Sequence, residues 1–303
     1  MGDARFDNVD SNVGRAPLVF CIDASGSMTK DCDGGMKRID LLNYMIRGCF
    51  EMLLGSSETR SRVMAAFVVF TDKVVLETEF ERLDRVSEEM FRRGSIDATY
   101  YDRNTGKVLY TLDTLENQVK PEGYQYPIFS VSDRDDGTDI GGAVLHAVKK
   151  LENMKETLAR NNEGSYAATL VLVTDGYAEL EVVSAEKQGQ RIRNQKAAIA
   201  AIKDHCYTNS QKNNLIIPFI IGVGENSADG VTVDDKILDD YAGDFIERAF
   251  HVRNKNARLS FKVIGNMIGK SVKKSMTVND LRALANDIND AAYDVNEGLV
   301  DEY

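Results

Sequence analysis

Four largely apolar runs of strand length alternate with segments of helical periodicity, and this alternation constrains the fold more than any other feature of the chain. The runs cover 18–22, 63–70, 168–173 and 215–223. Continuous apolar runs of this length are typical of strands buried on both faces of a parallel sheet. Because strands and helices alternate, we predict a Rossmann-like, doubly wound, mainly parallel α/β sheet with helices on both faces.

The segments between these runs have the spacing of amphipathic helices. Five apolar residues after the first run recur at intervals of three and four: Ile39, Leu42, Ile46, Phe50 and Leu53. One face of a helix is lined in this way. Further helices are predicted over 140–159, 186–205, 235–241 and 257–274, and a short strand over 245–252. Residues 73–80 alternate and follow a tight turn at Asp72-Lys73, so we predict one antiparallel edge strand there.

Side chains that contain oxygen atoms directly follow two of the apolar runs, where the predicted strands leave the sheet. Asp23, Ser25 and Ser27 come directly after the first run, and Asp175 comes after the third. Thr138 precedes the helix that begins near Ile140. In open α/β sheets, ligands bind at the carboxyl ends of the strands, and carboxylate and hydroxyl oxygens suit hard cations. The sequence therefore predicts a site for Mg²⁺, with Mn²⁺ or Ca²⁺ as alternatives.

The pattern resembles the metal-ion-dependent adhesion site (MIDAS) of von Willebrand factor A (VWA) domains, in which an Asp-x-Ser-x-Ser loop is joined by a Thr and a second Asp. All five positions match: Asp23, Ser25, Ser27, Thr138 and Asp175. The resemblance covers 16–274 except an insertion at 81–135. Among VWA proteins, the chain looks most like the stand-alone intracellular bacterial kind found in tellurite-resistance and stress-response clusters.

The resemblance implies a function in binding. In the family, both serines and usually the threonine ligate the ion directly, at least one aspartate acts through water, and an acidic residue of another protein takes the remaining position. This implies a metal-dependent protein-interaction module, not an enzyme, that serves as an assembly or regulatory subunit of a bacterial stress or defence complex.

Three alternatives remain open for the same residues. The first is a metal-dependent phosphohydrolase or phosphotransferase, although the haloacid dehalogenase type needs an aspartate two residues after its nucleophile, where this chain has Ser25. Asp23 therefore has no acid–base partner in its own loop. The second is a purely structural subunit whose site plays no role. The third is a loop whose Asp and Ser only cap a helix.

Regions outside the predicted sheet are candidates for partner specificity. We predict a polar N-terminal extension at 1–15, a domain at 16–274 and an acidic segment at 275–303. The insertion at 81–135 contains two β-rich runs around an Asn/Gly turn, which predicts a hairpin. Its tyrosines are a residue type favoured at protein interfaces, although they could equally cap a sheet edge; they are Tyr100, Tyr101, Tyr110, Tyr124 and Tyr126. Residues 29–35 and the acidic segment are the other candidates.

Composition narrows the class of partner and the compartment. The net charge of −11 argues against nucleic acid and anionic membranes, which attract clustered Lys and Arg. No apolar run approaches the roughly 20 residues of a membrane-spanning helix, and residues 1–15 lack the apolar centre of a secretory signal. The 4 cysteines have no metal-like spacing and suit a reducing compartment. We therefore predict a cytoplasmic protein.

Overall fold

The computed structural model describes residues 14–30, 38–83, 85, 99–101, 108–111, 137–175, 184–205, 216–223, 235–242, 249–252, 265–266 and 268–269. Its strands are β1 (Ala16–Asp23), β2 (Val63–Phe70), β3 (Val74–Glu77), β4 (Glu81–Arg82), β5 (Thr99–Tyr101), β6 (Val108–Thr111), β7 (Ala168–Thr174), β8 (Ile216–Val223) and β9 (Ala249–Val252). Its helices are a 3-10 turn (Gly26–Thr29), α1 (Arg38–Leu54), α2 (Ser57–Arg62), α3 (Ile140–Arg160), α4 (Ala185–Lys203) and α5 (Asp235–Ala242).

The main sheet has the order β3-β2-β1-β7-β8-β9, and β4 pairs with the other half of the β2 edge. The pairs β1–β2, β1–β7, β7–β8 and β8–β9 are parallel, whereas β3 and β4 run antiparallel to β2. The chain adds strands outward on one side of β1 and then on the other. The order therefore reverses between β1 and β7, which is where open α/β sheets bind ligands. This topology confirms the predicted fold class.

Two apolar cores cover the two faces of the sheet. On one face, α1 buries the five apolar residues identified from its spacing. The rings of Phe20, Phe50 and Phe67 stack there with centroids 5.4–6.1 Å apart. The opposite face is covered by α3, α4 and α5. The sheet is thus held on both sides, and the ends of its central strands have a rigid support.

The edge of the sheet differs in detail from the prediction. In place of the strand predicted over 73–80, β3 is only four residues long. The regular pairing ends at Thr78, because its backbone N donates to Phe67 O while its side-chain Oγ1 accepts from Phe67 N at 2.9 Å. Pairing resumes at β4. Helix α2 was not predicted; Ser56 caps it by accepting from Thr59 N.

Several predicted regions fall outside the described residues. The insertion contributes the antiparallel pair β5–β6, and most of its remainder is not described. The same holds for the N-terminal extension, most of 29–35, and the acidic segment at 275–303. Of the helix predicted over 257–274, only 265–266 and 268–269 are described, and these are helical.

Candidate metal centre

The two aspartates lie at the carboxyl ends of neighbouring central strands. Asp23 is the last residue of β1, and Asp175 directly follows β7. The register aligns Ile22 with Val173, so both carboxylates project at the point where the strand order reverses. Both residues are fully buried. Burying two like charges side by side is costly unless cations or hydrogen bonds compensate them.

The Asp-x-Ser-x-Ser loop is folded around Asp23. Ser25 N donates to Asp23 Oδ1 at 2.9 Å, and Ala24 N bonds to Phe70 O of the neighbouring strand at 2.8 Å. The loop then enters the 3-10 turn, which brings the hydroxyls of Ser25 and Ser27 to 3.1 Å from each other. Both serines are buried. The local fold therefore gathers one carboxylate and two hydroxyls in a small volume.

The environment of the Asp23 carboxyl group strongly perturbs its pKa. Burial, followed by the charge of Asp175, raises its pKa from 3.8 to about 7. Hydrogen bonds from Ser25 and Thr174 oppose this shift, and Thr174 Oγ1 donates to Asp23 Oδ2 at 2.6 Å. Because β1 and β7 are neighbouring strands, the Asp23 and Asp175 carboxylates lie close enough to influence each other. Thr174, the last residue of β7, was not identified from the sequence.

Thr138 lies in a loop fastened to the end of β2. Asp139 N bonds to Thr71 O at 2.8 Å, one residue beyond Phe70, which pairs with Asp23. Asp139 also caps α3, since its Oδ1 accepts from Gly142 N at 2.9 Å. Thr138 is therefore held, buried, beside the end of β1.

Helix α4 supports this loop from behind. Asn194 Nδ2 donates to Asp139 Oδ2 at 2.7 Å. Gly137 adopts a positive φ of 111°, and a Cβ atom there would meet the guanidinium of Arg191. A side chain at position 137 would thus be disfavoured both by its backbone conformation and by this contact. The chain path into Thr138 therefore depends on a glycine.

Arg38 brings a positive charge to the centre and was not predicted from the sequence as a site residue. It is the first residue of α1, and its backbone N bonds to Lys30 O at 3.0 Å just after the 3-10 turn. Its Nη1 lies 2.7 Å from Asp175 Oδ2, and both side chains are completely buried. The only sequence signal was an arginine immediately before the apolar positions of α1.

The donor set fits a magnesium ion. Adjacent ligands of an octahedral Mg²⁺ with bonds of about 2.0–2.1 Å lie about 3 Å apart, close to the 3.1 Å that separates the Ser25 and Ser27 hydroxyls. Two carboxylates accompany these hydroxyls, a ligand chemistry that Mg²⁺ prefers. Among the described residues, no cluster of three or more His, Cys, Asp or Glu side chains could hold a metal. A metal at this edge would therefore depend on the hydroxyls.

A second polar region lies away from this edge. A cleft of about 740 Å³ runs between α3 and the segment that contains β3 and β4. In it, Glu77 lies 2.6 Å from Lys150 Nζ and 2.8 Å from His146 Nε2. His146 is thus a partner of Glu77 at the surface.

No described helix is long and apolar enough to cross a membrane.

Comparison with protein-family models finds no match, and comparison with curated protein sequences finds none either. Solved structures do match. The pilus adhesin SpaC from Lactobacillus rhamnosus GG has a TM-score of 0.51 at 11% identity, over 87% of this chain and 31% of its own. The vWF domain of the type V pili tip protein Mfa5 from Porphyromonas gingivalis has a TM-score of 0.44 at 13% identity, over 88% of this chain and 99% of its own.

The mussel byssus protein PTMP1 has a TM-score of 0.42 at 11% identity, over 86% of this chain and 48% of its own. This chain therefore spans about a third of the SpaC adhesin and about half of PTMP1. Identities this low bear on the fold alone. The mainly parallel sheet and its antiparallel edge are those that the sequence resemblance implied. The chain has a Rossmann-like, doubly wound α/β fold, which is the fold that the resemblance to VWA domains implied. Its metal-binding residues and its subfamily stay predictions.

Proposed function

We propose that this VWA-like chain is a metal-dependent protein-interaction module. Mg²⁺, or Mn²⁺ or Ca²⁺ in its place, would be held by Asp23, Ser25, Ser27, Thr138 and Asp175. When bound, the ion supplies positive charge and a coordination position for a carboxylate of a partner protein, which would make a charge-assisted contact. The protein's own residues would orient the ion and exclude water from the strand ends.

One observation carries the proposal. Two fully buried carboxylates and two buried hydroxyls lie at the edge of the sheet where the strand order reverses. The two hydroxyl oxygens, those of Ser25 and Ser27, are 3.1 Å apart. A fold with two extensive apolar cores does not need buried acids for its stability, and buried acids without compensation are costly. Divalent metal binding gives this arrangement a physical reason. The similarity in fold to the pilus adhesin agrees with a role in interaction.

We propose binding rather than catalysis. A phosphate-transfer mechanism of the haloacid dehalogenase type would need an aspartate two residues after Asp23, where this chain has Ser25. The second acidic side chain of the centre, Asp175, forms a salt bridge with Arg38 at 2.7 Å. A generic phosphoester such as para-nitrophenyl phosphate, incubated with the Mg²⁺-loaded protein, should remain unhydrolysed. Turnover that disappears in Asp23→Asn would favour the enzyme alternative instead.

The setting of this interaction is part of the same proposal. We infer an assembly or regulatory role in the cytoplasm of a bacterium, within a stress or defence complex, with partner choice made by the insertion at 81–135. The support is the resemblance of the five site residues to stand-alone bacterial VWA proteins. Cys21 and Cys49 are free and buried, which agrees with a reducing compartment.

Metal titration tests the proposal directly. Protein stripped with EDTA should bind one Mn²⁺ or Mg²⁺ in isothermal titration calorimetry, and Asp23→Ala should abolish the binding while its circular dichroism spectrum stays that of the wild type. Glu77→Gln, which removes a carboxylate from the cleft instead, is the matched control and should bind metal normally. A wild-type protein that binds no divalent cation, or an Asp23→Ala variant that binds as well as the wild type, would refute the proposal.

A further inference from the structure

Arg38 brings a permanent positive charge into direct contact with a predicted metal ligand. Its guanidinium and the Asp175 carboxylate are 2.7 Å apart and have no exposure to solvent. Arginine stays charged at all physiological pH values. In a water-excluded setting, charges interact more strongly than they do at the surface. The charge of Arg38 must therefore enter the balance of any ion that binds between Asp23 and Asp175.

The charge balance depends on which groups are present. Counting only Arg38, Asp23 and Asp175, with both carboxylates ionised, the centre has a net charge of −1, and a divalent cation changes this to +1. An incoming carboxylate would then neutralise it. Without Arg38, the same centre would already be neutral with the metal bound, and a partner carboxylate would leave it negative. The arginine therefore weakens the attraction for the metal and strengthens the attraction for the carboxylate.

We propose that Arg38 is a built-in counter-cation that couples metal retention to carboxylate binding. It lowers the affinity of the empty centre for a divalent cation and raises the affinity of the loaded centre for an acidic group of the partner. This inference rests on the proposed metal-dependent interaction. Arg38 also acts as a positioning residue, because its salt bridge holds Asp175 Oδ2 in one place.

The contacts of Arg38 hold this residue in one position. Arg38 begins α1, and its backbone bond to Lys30 O ties the helix start to the 3-10 turn that carries Ser27. The salt bridge links that same helix start to the end of β7. Arg38 thus connects two of the three segments that carry predicted ligands. A shift of Asp175 on metal binding would act directly on Arg38.

The test compares Arg38→Gln, Arg38→Lys and the wild type, using Mn²⁺ alone as the first probe and acetate as the second. After treatment with EDTA, Arg38→Gln should bind Mn²⁺ on the order of tenfold tighter than the wild type, because a neighbouring charge has been removed. Acetate should raise the Mn²⁺ affinity of the wild type and raise that of Arg38→Gln less. By reciprocity, the same coupling describes the effect of Mn²⁺ on acetate binding.

Two controls separate charge from shape and from general surface charge. Arg38→Lys keeps the positive charge and should resemble the wild type in both titrations. Arg160→Gln removes an arginine that is 74% exposed, at the far end of α3, and should change neither affinity. Equal tightening of Mn²⁺ binding in Arg160→Gln would show that net charge alone is responsible and would overturn the role of Arg38.

The outcomes distinguish this inference from the function on which it rests. A wild type that does not bind Mn²⁺ removes the proposed function. A wild type that binds Mn²⁺, with Arg38→Gln binding equally or more weakly, leaves the proposed function standing and overturns the inference. If Arg38→Gln is unfolded in EDTA, saturating Mn²⁺ should restore its circular dichroism spectrum, because the metal replaces the missing positive charge. Failure of Mn²⁺ to refold it, while Arg38→Lys is folded, also overturns the inference.

Discussion

The candidate metal centre and the α3 cleft each place a carboxylate against a basic side chain, and the two pairs have almost the same length. Arg38 and Asp175 are 2.7 Å apart, and Lys150 and Glu77 are 2.6 Å apart. Their surroundings differ. The first pair has no exposure, whereas the side chain of Glu77 is 38% exposed. Distance alone therefore says little about what a salt bridge contributes or what it is for.

The two environments shift acidic pKa values in opposite directions. At the metal centre, burial and the nearby Asp175 raise the pKa of Asp23 to about 7. In the cleft, burial alone would raise the pKa of Glu77, but hydrogen bonds and charges from Lys150 and His146 outweigh it and lower that pKa. The cleft compensates Glu77 with Lys150 and His146. At the metal centre Asp175 has Arg38 as a partner, whereas the raised pKa of Asp23 shows that its charge is not fully compensated.

The largest expected effect tests whether the buried pair differs energetically from the exposed one. Asp175→Ala removes the buried carboxylate that Arg38 contacts, and breaking such a pair typically costs about 3–5 kcal/mol. Relief of the repulsion with Asp23 offsets part of this, so we expect a loss of about 3 kcal/mol in the free energy of unfolding. Urea denaturation in EDTA measures it.

The cleft supplies the control for this measurement. Glu77→Ala removes the acid of a half-exposed pair, and such pairs contribute about 0–1 kcal/mol. Equal losses for Asp175→Ala and Glu77→Ala, measured in the same buffer, would break the comparison, because burial would then have no influence on the cost of losing the acid.

A second prediction asks whether packing, as well as charge, fixes the metal edge. Gly141 lies in the first turn of α3, and a Cβ atom there would overlap backbone atoms of Asn194 and Gln195 in α4. Gly141→Ala should push α3 and α4 apart and cost about 1–3 kcal/mol, as overpacking does. Because Thr138 is three residues away, the variant should also bind Mn²⁺ more weakly.

Gly189 in α4 is the matched control. A Cβ atom there meets only the flexible end of Arg193, at 3.5 Å. Replacing a glycine inside a helix by alanine should raise stability by about 0.5–1 kcal/mol. Thermal unfolding of both variants gives the two signs. A Gly141→Ala variant as stable as Gly189→Ala would mean that the contact between α3 and α4 does not hold the loop of Thr138.

The strands and helices that could be predicted from the sequence are those with a regular pattern of apolar residues. Apolar runs specify strands buried on both faces, and the helical spacing of residues such as Ile46 and Phe50 specifies α1 and the face that it buries. Both signals lie within a few residues of the chain. The alternation of strands and helices then predicts a mainly parallel sheet, and the structure has one.

The features that were not predicted from the sequence depend on contacts between residues far apart in the chain. Arg38 and Asp175 are 137 residues apart in the chain, and Thr174 and Asp23 are 151 apart. Nothing local in the sequence marks an arginine that will be buried against an acid, because arginines are mostly exposed. The division of the edge strand also escaped prediction, since the Thr78 hydroxyl takes the place of a backbone acceptor.

The smallest expected effect concerns the pH dependence of the cleft. The pKa of Glu77 is lowered from 4.5 in the folded protein, so its stabilising contribution is present above pH 4.5 and is lost as the pH falls through the lower folded value. Glu77→Gln cannot titrate. The difference in unfolding free energy between wild type and Glu77→Gln should therefore be under about 1 kcal/mol near neutral pH and should shrink below pH 4.5. It should also shrink in 0.5 M NaCl, which screens exposed charges. A difference that instead grows on acidification would mean that folding destabilises the ionised form of Glu77, as it does that of the buried Asp23. The contrast between the metal centre and the cleft would then fail.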